Sequence, residues 1–245
     1  MVIGGLDAPR RSRRGTRRAR AADPAASAVE VTRATVVDPE PLADPDTWLA
    51  GAAGPEAEAT LARALAVLNR ALHARRIAAA DPLAGEADLA RALVARVGYG
   101  AGEEVADGAW TTARELPTAP PRAGRDAALR PQERFAALLS ARDAALACEL
   151  LALRARADLD HGRDREAALQ LEAALAVARE ELAGWRELDG MPERLAELAA
   201  LADGVGAVAA TARLGGVDDA ARAAVAHALA RLEAALRART AGARF

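Results

Sequence analysis

Between residues 131 and 188, apolar positions recur every three or four residues on both sides of a single glycine. In the stretch PQERFAALLSARDAALACELLALRARADLD, Phe135, Leu138, Leu139, Ala145, Leu146, Leu150 and Leu153 fall on one wide stripe, the period of a helix. Pro131 suits a first helical position, where its missing N–H would have no partner anyway, and Glu133 favours the positive end of the helix dipole. The stripe predicts a central helix. After Asp160-His161-Gly162, a second stripe of Ala168, Leu171, Leu175, Ala178, Leu182 and Trp185 predicts a partner helix, and the short turn favours an antiparallel pair.

The rest of the chain reads as helices docking on that hairpin, or as tail. Pro39, Pro41 and Pro45 make residues 28–54 an extended approach with a short turn near Trp48. Pro55, Glu56 and Glu58 open an amphipathic helix with Leu61, Leu65, Leu68 and Leu72 on one face, stopping before Asp81-Pro82. A shorter helix follows with Leu89, Leu93 and Val97, closing at Gly98. Residues 98–130 are least regular, and a small β-hairpin pairing Val97–Gly100 with Trp110–Arg114 is expected there. Pro117–Arg125 reads as a linker. Met191-Pro192 starts a helix ending about Gly204, the glycine-broken GVGAVAATARLGG reads as a short packed turn or helix, and a last helix begins after Asp218 with Ala221, Val225, Leu229, Leu232 and Leu236. The expected fold is all-α, an irregular bundle around the central hairpin. Its expected divisions are a disordered tail at 1–27, a helical unit at 28–116, a linker at 117–130 and the hairpin bundle at 131–245.

Ala155 in the first arm, Gly162 in the turn, and Ala167, Leu171 and Ala174 in the second carry a resemblance. Over about residues 148–181 the hairpin resembles a single tetratricopeptide unit, with Asp158 where the family prefers an aromatic residue and Arg179 where it prefers a proline. The resemblance implies close approach of two helices and a groove that binds peptides.

Composition narrows the chemistry. Hydrophobic residues make up 52% of the 245 but aromatics only 2%, so Ala, Leu and Val must fill the core, which favours helices over sheet. All 33 basic residues are arginine, which removes Schiff-base lysines, a lysine base and the P-loop lysine. One cysteine, Cys148, excludes a disulfide framework and a cysteine-rich zinc site within one chain, and reads as a small buried hydrophobe. Ser12, Ser27 and Ser140 do not lie in G-x-S-x-G, which argues against a serine triad.

Arg10, Arg11, Arg13, Arg14, Arg17, Arg18 and Arg20 against Asp7 give residues 1–20 a charge of +6, so in a chain of net charge −2 the remainder carries −8. Such a tail is expected to be disordered, and its arginines are candidate phosphate contacts to nucleic acid. No apolar segment suited to a secretory signal follows them, and no run of about 18 uninterrupted apolar residues occurs; a cytoplasmic protein without membrane contact is the expectation.

Three further groups are candidate sites. Tyr99, Glu103, Glu104 and Trp110 mark a ligand loop. The glycines there, Gly98, Gly100 and Gly102, follow a predicted helix rather than a strand, unlike a phosphate loop. Arg142, Glu149 and Arg156, seven residues apart, would line a polar cleft if the central helix is buried, because buried charges need partners. Asp158, Asp160, His161 and Asp164 offer oxygen ligands at the turn but lack calcium-loop spacing, and acids there also serve as caps. No catalytic set is complete and no cofactor or metal is expected. The pattern favours a non-catalytic protein that binds another protein or its own copy through a helix face or the hairpin groove. A nucleic-acid-associated protein using its tail, and an enzyme or small-ligand binder using the Tyr99–Trp110 loop, are the alternatives.

Overall fold

A computed structural model describes residues 2–6, 31–116 and 131–242. It is mostly α-helical, as the composition requires, with seven α-helices among the described residues. Two compact units divide the chain, Met1–Pro120 and Pro121–Phe245.

In the first unit β1 (Val2–Leu6) pairs antiparallel with β2 (Val31–Thr35). Helix α1 (Pro45–Gly51) starts where the Asp44 carboxylate accepts the Thr47 N–H at 3.0 Å. Helix α2 spans Pro55–Ala78 with proline in its first turn, as the sequence predicts. The short helix predicted around Leu89 is instead one 3-10 turn, Leu89–Arg91, with Leu93 77% exposed. Val97 belongs to strand β3 (Ala95–Tyr99), which pairs antiparallel with β4 (Thr112–Leu116), setting Val97 opposite Arg114 and Tyr99 opposite Thr112. The alternation of Ala95 and Val97, both buried, is a strand's period of two, not a helix's. Gly98 is needed at this crossing, since a Cβ there would lie 2.5 Å from the Thr112 carbonyl oxygen. Leu49, Ala52, Ala57, Val97 and Leu116 form a small core under Trp48, Leu61 and Tyr99.

The second unit corrects the predicted first arm. Instead of one helix it contains α3 (Pro131–Leu139) and α4 (Ala147–Asp160), parted by a bend. Ala141 takes a left-handed conformation with φ 57°. The Arg142 N–H then donates to the Ala137 carbonyl at 2.9 Å and the Ala141 N–H to that of Leu138 at 3.3 Å, the double closure that usually recruits glycine. Ser140 adds its hydroxyl to the Ala136 carbonyl at 2.8 Å.

Helices α4, α5 (Asp164–Glu181), α6 (Met191–Leu214) and α7 (Asp219–Gly242) follow as four antiparallel neighbours, with α7 returning to pack on α4 and α5. The α4–α5 turn uses Gly162 at φ 69°, where a side chain would be strained. Helix α6 continues through Gly204 and Gly206 rather than stopping there. Leu198, Val205, Ala209 and Ala212 are all buried on one face, and that continued burial outweighs about 1 kcal/mol for each glycine. This is the one described helix long and apolar enough to cross a membrane by length and composition. Asp218 caps α7 through the Ala221 N–H at 2.8 Å.

Candidate functional site

The bend between α3 and α4 gathers charges from distant parts of the sequence. Arg239, in the last turn of α7, is 2% exposed. Its Nη2 donates to Asp143 Oδ1 at 2.6 Å and to the Ala144 carbonyl at 3.3 Å, and its Nη1 to Glu149 Oε1 at 3.4 Å. From the other side Arg134 Nε reaches Asp143 Oδ2 at 3.2 Å and its Nη2 reaches Glu149 Oε1 at 2.6 Å. The Arg239 guanidinium lies 4.8 Å from the Trp185 ring centroid, a cation–π contact. Two arginines thus enclose two carboxylates.

The start of α4 has no capping side chain of its own kind, because Leu146 precedes it. Glu149 turns back to accept the Leu146 N–H at 3.0 Å, and Glu181 of α5 accepts the Ala147 and Cys148 N–H groups at 3.0 and 2.9 Å. Both carboxylates sit where the helix dipole is positive. Burial opposes the charge on Glu181, but the Cys148 and Ala147 N–H groups outweigh it and hold the carboxyl below its ordinary range. Burial likewise opposes ionisation of Asp143, and Arg134, the Ala144 N–H and Arg239 prevail. Burial, with Glu181 next in effect, pushes the Cys148 thiol up to about 12.

These directions define the chemistry available. Carboxylates held low are poor bases near neutral pH, guanidiniums keep their protons, and a thiol at that value is not a thiolate. The cluster acts as a clasp. A second clasp of reversed polarity joins the same helices where Glu233 of α7 receives Arg156 Nε at 2.9 Å and Nη2 at 3.1 Å. Glu149 toward Arg239 and Arg156 toward Glu233 together fix α4 and α7 antiparallel, with the acid at the start of α4 and the base at the end of α7, as both dipoles favour.

The polar row Arg142, Glu149 and Arg156 is therefore divided. Glu149 and Arg156 share α4 and bind separate partners on α7, Arg239 and Glu233. Arg142 stands on the bend, exposed, with Nε donating to Ser140 Oγ at 2.9 Å. The Tyr99 hydroxyl donates to the Asp46 carboxylate, Trp110 is half-buried near Gly108, and Glu103 and Glu104 are exposed at the start of a 3-10 turn. Asp158 fixes the hairpin turn by accepting Arg163 Nε and Gln170 Nε2, both at 2.6 Å, and no metal-holding group occurs among the described residues. The seven tail arginines lie outside the described residues.

One feature of α4 inverts the expected side. Cys148, Ala152, Ala155 and Leu159 face the core, while Leu150 and Leu153 are 52% and 68% exposed. On α3, Phe135 is 58% and Leu139 73% exposed. The inward positions Cys148, Ala152 and Ala155 are small, so α4 approaches α5 closely through Ala167, Leu171 and Ala174, all fully buried. Two open grooves of about 290 Å³ each flank α6, one lined by Glu172, Leu175, Arg179 and Asp203, the other by Val208, Thr211, Val217 and Asp218. Compared with family models, curated proteins and solved structures, the chain gives no match.

Proposed function

We propose that the chain is a non-catalytic helical interaction protein that presents the outer face of its antiparallel hairpin to another protein chain. The observation that carries this reading is the inversion of size on α4, with small residues turned inward and Leu150 and Leu153 turned to water. Single exposed leucines are ordinary, but these two stand one turn apart and continue into half-buried Ala157 on the same face. Covering a leucine contributes about 1.5–3 kcal/mol, so the strip is a reservoir of binding free energy. The hairpin's resemblance to a tetratricopeptide unit agrees with a role in binding protein. The test is affinity capture with the full chain and with a Leu150→Ser/Leu153→Ser variant. Specific partners recovered by the first and lost by the second support the reading; the same partners recovered equally by both overturn it.

The arginine-rich tail favours a second reading, association with nucleic acid. It expects binding whose logarithm falls with log salt at a slope of about −6 and which disappears when the chain starts at residue 25.

A further inference from the structure

We propose that Arg33 and Trp110 together hold the carboxylate of a small apolar organic acid beside Gly108. The inference goes beyond the interaction reading above, since it concerns the first unit and not the hairpin. Strand β2 brings Arg33 to the turn between β3 and β4, where Gly108 takes a left-handed conformation with φ 85°. A Cβ on Gly108 would lie 2.7 Å from Arg33 Nη1 and 3.8 Å from Trp110 Nε1. Because glycine carries no side chain, the guanidinium rests over its backbone with the indole N–H alongside. The two donors therefore stand at most about 6.5 Å apart. One carboxylate bridges that span with an oxygen to each donor, since each hydrogen bond reaches about 2.9 Å.

Both side chains are half-buried, and neither has a hydrogen-bond or ion-pair partner among the described residues. A guanidinium partly withdrawn from water without an anion is a charge left uncompensated, and an indole N–H has only a donor to offer. Nearby acids do not fill the role: Glu103, Glu104 and Asp107 stand exposed on the turn before Gly108, and none pairs with Arg33. Their negative field selects the ligand. It opposes a doubly charged phosphate more than a singly charged carboxylate, whose planar pair of oxygens also suits the flat guanidinium. The Trp110 ring adds an apolar wall, so an acid with a hydrocarbon body fits better than a bare anion.

The test is nuclear magnetic resonance of the full, nitrogen-15-labelled chain titrated with sodium benzoate, inorganic phosphate and benzyl alcohol. The Trp110 indole N–H is identified by its loss in Trp110→Phe, and those of Trp48 and Trp185 report the fold. Benzoate should shift the Trp110 signal saturably, with half-saturation near about 1 mM, ordinary for a ligand this small. Phosphate should bind at least about tenfold more weakly, and benzyl alcohol, which keeps the ring but lacks the carboxylate, should not saturate. Arg33→Gln should weaken benzoate about tenfold or more with the Trp48 and Trp185 signals unmoved, and Arg33→Lys, which keeps the charge but not the planar fork, by less. No saturable shift with benzoate up to about 20 mM, equal binding of benzyl alcohol, or benzoate binding indifferent to Arg33→Gln overturns the inference. Phosphate binding as tightly as benzoate overturns the carboxylate assignment. A short alanine peptide supplies the same group from a protein, and its binding about tenfold tighter than benzoate would overturn the small-acid source. The benzoate, phosphate and benzyl alcohol arms use the wild-type chain, so they decide even where a variant fails to fold.

Discussion

Replacing Arg239 by methionine tests the clasp that organises the bundle. The side chain is 2% exposed, so the substitution keeps an apolar stem in place and removes a guanidinium that serves Asp143, Glu149 and the Ala144 carbonyl. Breaking a buried pair by removing one partner costs about 3–5 kcal/mol, because the other charge stays buried. The residual partners set where in that range the cost falls. Asp143 and Glu149 each keep Arg134, and Glu149 also keeps the Leu146 N–H, so the low end applies, about 3 kcal/mol including the lost contact with Trp185. For a unit of this size that is a fall in Tm of roughly 10 °C by calorimetry or circular dichroism.

The pH dependence supplies an independent readout. The folded-state values of Asp143 and Glu181 lie below their unfolded ones, so their stabilisation is full above the unfolded carboxylate value of about 4 and is lost as pH falls through the folded values. Arg239→Met relaxes part of the Asp143 shift and should flatten that acid limb. Arg237→Met is the control, since Arg237 is 52% exposed and only 3.9 Å from Glu233, and should cost less than about 0.5 kcal/mol. Equal, small losses for the two variants would refute the reasoning, because the cluster would then be behaving as a solvated surface pair.

Other outcomes follow from single contacts. Asn69 is 1% exposed and holds both the N–H and the carbonyl of Ala87, so Asn69→Ala should lower the stability of the first unit by about 2–3 kcal/mol in chemical denaturation. Gly98→Ala forces a Cβ against the Thr112 carbonyl, and the amides of the Ala95–Tyr99 and Thr112–Leu116 strands should lose protection in hydrogen exchange. Ala141→Gly removes the left-handed strain of the bend and should stabilise the second unit by about 0.5–1 kcal/mol, read as a raised Tm. Cys148, fully buried with its thiol pushed up to about 12, should resist thiol reagents at pH 8 until the chain is unfolded.

Much of the helical order was legible because its signals are local. Pro55, Pro131 and Met191-Pro192 begin helices, Asp218 caps one, Gly162 turns the hairpin, and the 97–114 stretch pairs as strands. The failures have physical causes too. Ala141 adopts a conformation that sequence rules reserve for glycine, so the break after Leu139 is silent, and Gly204 and Gly206 look like breakers although tertiary burial carries the helix past them. The rule that large apolar residues face inward misassigned α4, where close packing demands Ala and Cys inside. Arg239 was missed because its partners Asp143 and Glu149 lie 96 and 90 positions away in sequence. The available signal was Glu149 itself, an acid on a greasy helix that must find a cation.

The central claim is that Leu150 and Leu153 are held outward for a protein partner rather than for the fold. Thermal unfolding of Leu150→Ser/Leu153→Ser in dilute solution, compared with wild type and paired with the capture assay, tests it most directly. The account predicts a Tm within about 2 °C of wild type together with loss of association, as expected for exposed positions. A drop of the size seen for core substitutions, with association intact, would contradict it.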